Sequence, residues 1–83
     1  MIHIHYFGPI REQLNCASES IAWQAGLSTD DVLQLLRARG APWQTALAAQ
    51  NVFKVALNQT ILHASAPVPQ GAQIGILPPV TGG

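Results

Sequence analysis

With 83 residues, 48% of them hydrophobic and only 10% charged, the chain has room for one domain and one core. A charged fraction well under the ~25% usual for globular proteins leaves apolar surface for a partner. Four basic residues balance four acidic ones, so there is no positive stripe for phosphates and no polybasic segment for anionic lipid, which excludes nucleic acid and membrane as partners.

The opening Met1-Ile2-His3 lacks the basic, then apolar, pattern of a leader, and no run approaches the ~20 apolar residues of a membrane helix. The expected location is the cytoplasm. Residues Ile2 to Phe7 alternate and are rich in branched and aromatic side chains. They predict a strand with Ile2, Ile4 and Tyr6 on a core face and His3, His5 and Phe7 on the other. Gly8-Pro9 ends it, and Ile10 to Asn15 predicts a short turn of helix. Cys16 stands alone, which rules out an internal disulfide and a cluster held by four cysteines of this chain. It reads as a small packed residue or, alternatively, as a sulfur-handling thiol. Ser18 to Trp23 predicts a second strand paired with the first.

Ser28-Thr29-Asp30-Asp31 opens the clearest helix, because Ser28 can cap it and Asp31 at its third position completes a capping box. Val32, Leu35, Leu36 and the stem of Arg39 follow at helical spacing, and Gly40 and Pro42 stop the helix. Pro42 also suits the first turn of a second short helix lined by Trp43, Ala46 and Leu47. Phe53, Val55 and Leu57 alternate with Lys54 and Ala56. Asn58-Gln59 then turns the chain into Thr60 to His63, giving a hairpin. Pro67 to Gly71 predicts a type I turn with Pro69 second and Gly71 fourth. A last strand, Gln73 to Leu77, places Ile74 and Ile76 in the core and Gly75 and Leu77 on the other face.

The order strand, strand, helix, helix, strand, strand, strand predicts an α+β fold with a mixed five-stranded sheet covered on one face by helices, the outline of a β-grasp domain. Residues 1–77 form the domain and residues 78–83 an extended C-terminal tail. With first and last strands as neighbours, Phe7 and Leu77 form one apolar patch at the root of that tail. Scattered apolar surface is the plainer alternative.

The tail reads Pro78-Pro79-Val80-Thr81-Gly82-Gly83. Two prolines hold it extended, and six residues at ~3.1 to 3.4 Å each project on the order of 20 Å. Gly82 and Gly83 have no Cβ, so they pass a narrow channel and leave a terminal carboxylate bare for reaction, once it has been activated by adenylation. A frayed end is the alternative.

These features resemble the small, sulfur-carrying subunits of molybdopterin synthase, a family of ubiquitin-like β-grasp proteins. The resemblance covers the whole chain. It lies in the opening strand with Phe7 and Arg11-Glu12, the Val55-Ala56-Leu57-Asn58-Gln59 hairpin, Gly71, and above all Pro78-Pro79-Val80-Thr81-Gly82-Gly83. It implies that an ATP-using activating enzyme adenylates the Gly83 carboxylate, that sulfur replaces the adenylate, and that the thiocarboxylate enters the large catalytic subunit and sulfurates a pterin precursor. It further implies partner contacts by Phe7, Leu77 and Arg11, a heterotetrameric assembly, and no cofactor or metal bound by this chain. The sequence departs from the family around Gly71, where Gln70, Ala72 and Gln73 stand in place of flanking acids.

Three alternatives remain open from sequence. The first is a sibling sulfur carrier for thiazole synthesis or tRNA thiolation, and the second a non-catalytic β-grasp interaction module with an inert tail. The third is a metal site of His3, His5 and His63, which no cysteine pair or carboxylate at ligand spacing supports.

Overall fold

In the computed structural model, which describes residues 1–48 and 53–78, the opening alternation becomes strand β1 (Ile2–Tyr6). It buries Ile2, Ile4 and Tyr6 on one face. The strand ends one residue before the alternation does. Phe7 is still extended, at φ −129° and ψ 155°, but it is the N-cap of helix α1 (Gly8–Leu14), because Pro9 has no N–H for a ladder and a φ suited to a first helical turn. The helix predicted from Ile10 therefore starts earlier, and it turns Ile10 and Leu14 into the core. Strand β2 (Ser18–Ile21) pairs antiparallel with β1, Ile21 opposite Ile2 and Ser18 opposite His5. It stops short of Trp23, whose indole N–H instead donates to the Val68 carbonyl at 2.6 Å.

Helix α2 (Thr29–Arg37) carries the predicted capping box. The Ser28 hydroxyl accepts from the Asp31 N–H at 3.1 Å, and the Asp31 carboxylate accepts from the Ser28 N–H at 3.0 Å. Two features of this helix differ from expectation. Leu33 rather than Leu35 completes the buried stripe with Thr29, Val32 and Leu36, leaving Leu35 54% exposed. At the helical period, positions 29, 32, 33 and 36 share one side and position 35 falls about 100° away from its middle. Arg39 lies beyond the helix end and places its guanidinium over the Trp43 ring, 4.4 Å from the centroid. Helix α3 (Trp43–Ala46) follows the cis Ala41–Pro42 bond, with Ala46 and Leu47 buried.

Strands β3 (Lys54–Leu57) and β4 (Thr60–Leu62) form the hairpin, each shorter by its outermost predicted residue, Phe53 and His63. Asn58 and Gln59 both adopt positive φ, 48° and 73°, as the two-residue loop of a twisted hairpin demands. Asn58 is held there because its N–H and side-chain oxygen bond the Gln73 carbonyl and N–H at 2.8 and 2.9 Å. The turn before the last strand closes one residue later than predicted. The Ala72 N–H donates to the Pro69 carbonyl at 3.2 Å, which makes Gly71, at φ 80°, the third turn residue. That position in a type II turn requires positive φ, which glycine adopts without steric cost.

Strand β5 (Gln73–Leu77) lies parallel to β1 and antiparallel to β3, and the sheet order is β2-β1-β5-β3-β4. Ile2, Ile4, Ile74 and Ile76 meet Val32, Leu33 and Leu36 of α2 in one buried cluster. A mixed five-stranded sheet with helices on one face is the ubiquitin-like β-grasp fold. Among the described residues no helix is long and apolar enough to cross a membrane.

One polar chain crosses this inner side. The buried Tyr6 hydroxyl donates to Glu19 at 2.9 Å, and Arg39 grips both Glu19 oxygens at 2.8 and 2.7 Å. The Tyr6 ring meets Trp43 edge-on at 5.6 Å. Burial, and then the bond to Glu19, push the Tyr6 phenol far above its usual range, so it serves as a donor and not as a titrating group. The Arg39 hydrogen bonds hold Glu19 below the usual carboxylate range.

Candidate functional site

The outer face of the sheet follows from the same period-2 alternation that builds the core: with Ile4, Tyr6, Ile74 and Ile76 turned inward, the intervening residues face out. Register then brings them together. Gly75 of β5 lies opposite His5 of β1 on one side and Ala56 of β3 on the other, and Ile61 of β4 lies opposite Ala56. The Phe7 N–H donates to the Ile76 carbonyl at 3.1 Å, which extends the β1–β5 ladder and fixes Phe7 beside the last strand.

Gly75 is the floor of the resulting hollow. A Cβ placed on it would lie 3.5 Å from both Phe7 Cε2 and Leu77 Cδ1 and 3.7 Å from Ala56 Cβ, so the apolar side chains lean over a position that has none. Phe7 and Ile61 are 46% and 45% exposed at the rim, and the concavity of about 560 Å³ is completed by His5, Gln59 and Gln73. Burying such a side chain from full exposure is worth roughly 1.5 to 3 kcal/mol, and Phe7 and Ile61 each keep just under half of their surface in water, so covering both yields about one such term.

Phe7 and Leu77 are thus neighbours, and Ile61 joins them. Sequence reasoning passed over Ile61, although the two-residue turn at Asn58-Gln59 fixes its place opposite Ala56 and hence on this face. Arg11 does not line the concavity. It is exposed on α1 and borders a separate polar hollow with Glu12, Asn15, Cys16 and Ala17. The Cys16 thiol is half-buried and points to the Ser18 carbonyl at 3.6 Å.

His3 and His5 face outward but bind in opposite directions, His3 to the Ser20 hydroxyl of β2 at 2.8 Å and His5 to the Gln73 amide oxygen of β5 at 2.6 Å. His63 sits elsewhere, near Thr29, Asp30 and Ser65, and no three metal-ligating side chains gather among the described residues. Two of the three residues that depart from the expected acids near Gly71, Ala72 and Gln73, have structural roles. Ala72 is buried in the core, and Gln73 bonds both His5 and the β3–β4 turn.

Pro78 follows β5 directly and is half-buried, with its ring beside Gly8. Pro79, Val80, Thr81, Gly82 and Gly83, named from the sequence as the reacting tail, lie outside the described residues.

Similarity to known proteins agrees with this architecture. The model of the ThiS family matches residues 4–83. The molybdopterin synthase sulfur carrier subunit of Haemophilus influenzae is 31% identical over 84 residues, an alignment covering 100% of both chains. Among solved structures, the crystal structure of SAMP1 from Haloferax volcanii superposes with a TM-score of 0.75 over 99% of this chain and 98% of that one. At 16% identity, that likeness speaks for the fold. The chain belongs to the ThiS family of β-grasp sulfur carriers.

Proposed function

We propose that this chain is the sulfur-carrying small subunit of a molybdopterin synthase, with residues 1–77 as the docking domain, residues 78–83 as the delivery tail and Gly83 as the residue that bears the sulfur. The observation that carries the reading is full-length similarity to a molybdopterin synthase sulfur carrier subunit in a chain whose sequence reads Pro78-Pro79-Val80-Thr81-Gly82-Gly83.

The chemistry follows from the electrophile. A carboxylate resists nucleophiles because oxide would have to leave. An activating enzyme must therefore join the Gly83 carboxylate oxygen to the α-phosphorus of ATP, releasing pyrophosphate. A hydrosulfide-equivalent donor then attacks the acyl carbon and AMP departs, leaving a thiocarboxylate. The charged tail enters the large catalytic subunit, where its sulfur displaces a leaving group on a carbon of a pterin precursor to form a C–S bond, and water then cleaves the acyl–sulfur bond, leaving sulfur on the precursor and returning the carboxylate. This chain contributes reach, a narrow Gly82-Gly83 end and a docking face of Phe7, Ile61 and Leu77, with Arg11 as a contact outside the apolar hollow. Catalytic side chains belong to the partners.

Intact-mass spectrometry after incubation with an activating enzyme, ATP and sulfide tests this reading. Wild type should exchange one terminal oxygen for sulfur, and a chain lacking Gly83 should not, since its carboxylate retreats by about 3.3 Å, beyond near-attack tolerance. Sulfur found on Cys16, or a Gly83 deletion still charged and still able to convert precursor, would overturn it. A charged tail that serves thiazole synthesis or tRNA thiolation and leaves pterin precursor untouched would overturn the assignment to molybdopterin synthase alone.

A further inference from the structure

The geometry points to Gly8 as a positioning residue for the tail: its missing side chain is the seat of the Pro78 ring, and that seat sets the direction in which the chain leaves the sheet. The inference rests on the reading of Gly83 as the sulfur-bearing end, and it adds what aims that end.

Gly8 stands apart from the other glycines at positive φ. Gly26, Gly40 and Gly71 have nothing within 4 Å of where a Cβ would be, so only their backbone angles call for glycine. At Gly8, with φ 62°, a Cβ would lie 2.9 Å from Pro78 Cγ, 3.3 Å from Cδ and 3.5 Å from Cβ. The ring occupies the room a side chain would take. Two local causes put a glycine there. Pro9 disfavours the helical region for the residue before it, and the chain passes from the extended Phe7 into α1 at that residue.

The neighbouring contacts make the seat directional. The Phe7 N–H bonds the Ile76 carbonyl at 3.1 Å, so residues 7 and 8 run alongside residues 76 to 78. Phe7 and Leu77 belong to the docking hollow, and Gly8 and Pro78 are the residues that follow them in the chain. A partner that grips the hollow is thereby registered against the first residue of the tail. Proline at 78 suits this role, because its ring fixes φ and passes the orientation of the seat into the chain. An alanine at position 8 would force the ring back by about 0.6 Å to reach an ordinary 3.5 Å carbon contact. Misplacement of the reacting group by about 1 Å costs on the order of 100-fold in rate.

The test is steady-state charging of the full chain by an activating enzyme with ATP and sulfide, read by intact mass, for wild type, Gly8→Ala, Pro78→Ala and the double variant. Gly8→Ala should lower kcat by about 10- to 100-fold and leave KM nearly unchanged, because the docking hollow is intact. In the Pro78→Ala background, where the ring is gone, the same Gly8→Ala change should have little further effect on kcat. A wild-type rate for Gly8→Ala would overturn the inference. So would a loss carried by KM, or an equal loss in both backgrounds, which would mean that Gly8 serves only the β1–α1 turn. Should Gly8→Ala fail to fold, the wild-type nuclear Overhauser contact between the Gly8 α-protons and the Pro78 ring decides, and its absence overturns the seat. If wild type itself is never charged, the reading of Gly83 fails, while the Gly8–Pro78 contact still reports separately on the seat.

Discussion

On its inner face the sheet closes Ile2, Ile4, Tyr6, Ile74 and Ile76 under α2, none more than 1% exposed. The outer face of the same strands leaves Phe7 46% exposed, with Ile61 of β4 at 45%, around a bare glycine. Alternate residues of one strand point to opposite sides. One set can therefore be committed to folding while the other is left for a partner, and a substitution should affect one property without the other. The outer set supplies less folding energy, since Phe7 and Ile61 keep nearly half of their surface in water.

The sharpest way to break this separation is from the inner side. Leu36 is fully buried, and Leu36→Ala should destabilise the domain by about 2 to 5 kcal/mol through lost transfer energy and a residual cavity. Thermal unfolding measures it, and a neutral outcome would remove Leu36 from the core. From the outer side, Phe7→Asp should leave the melting temperature near that of wild type and weaken docking to the proposed partner, a large synthase subunit, by about 2 kcal/mol or more, because the new carboxylate would be buried unpaired. Calorimetric titration reads the docking. Normal affinity, or a variant that unfolds alone, would sink the division of roles. Ile61→Asp should behave likewise, which separates a broad hollow from a contact confined to Phe7 and Leu77.

The smallest effect concerns the polar chain on the inner side. Arg39 holds Glu19 below the usual carboxylate range. Its folded value therefore lies under its unfolded one, and the stabilisation is fully present above the unfolded glutamate pKa and is lost as pH falls through the folded value. Glu19→Gln should cost about 1 kcal/mol or less at neutral pH, since the Arg39 and Glu19 side chains are 35% and 20% exposed and solvent screens the pair. In acid the two proteins should converge. Urea unfolding at neutral pH and in acid tests this, and a gap that widens on acidification would contradict the sign.

Local sequence determined a good deal here. Alternation at residues 2 to 6 and 73 to 77 and the capping box from Ser28 to Asp31 each depend on neighbours within a few positions, so strands and helix start were legible without coordinates. Tertiary structure decided what depends on residues far apart in the chain. It brought Ile61 into one hollow with Phe7 and Leu77, drew Arg39 to Glu19 and Trp43, and set Pro78 on Gly8. Each of these rests on strand register or on a meeting of segments that propensity and spacing do not encode. Periodicity says which residues share a face, and only the packed sheet says which of them touch.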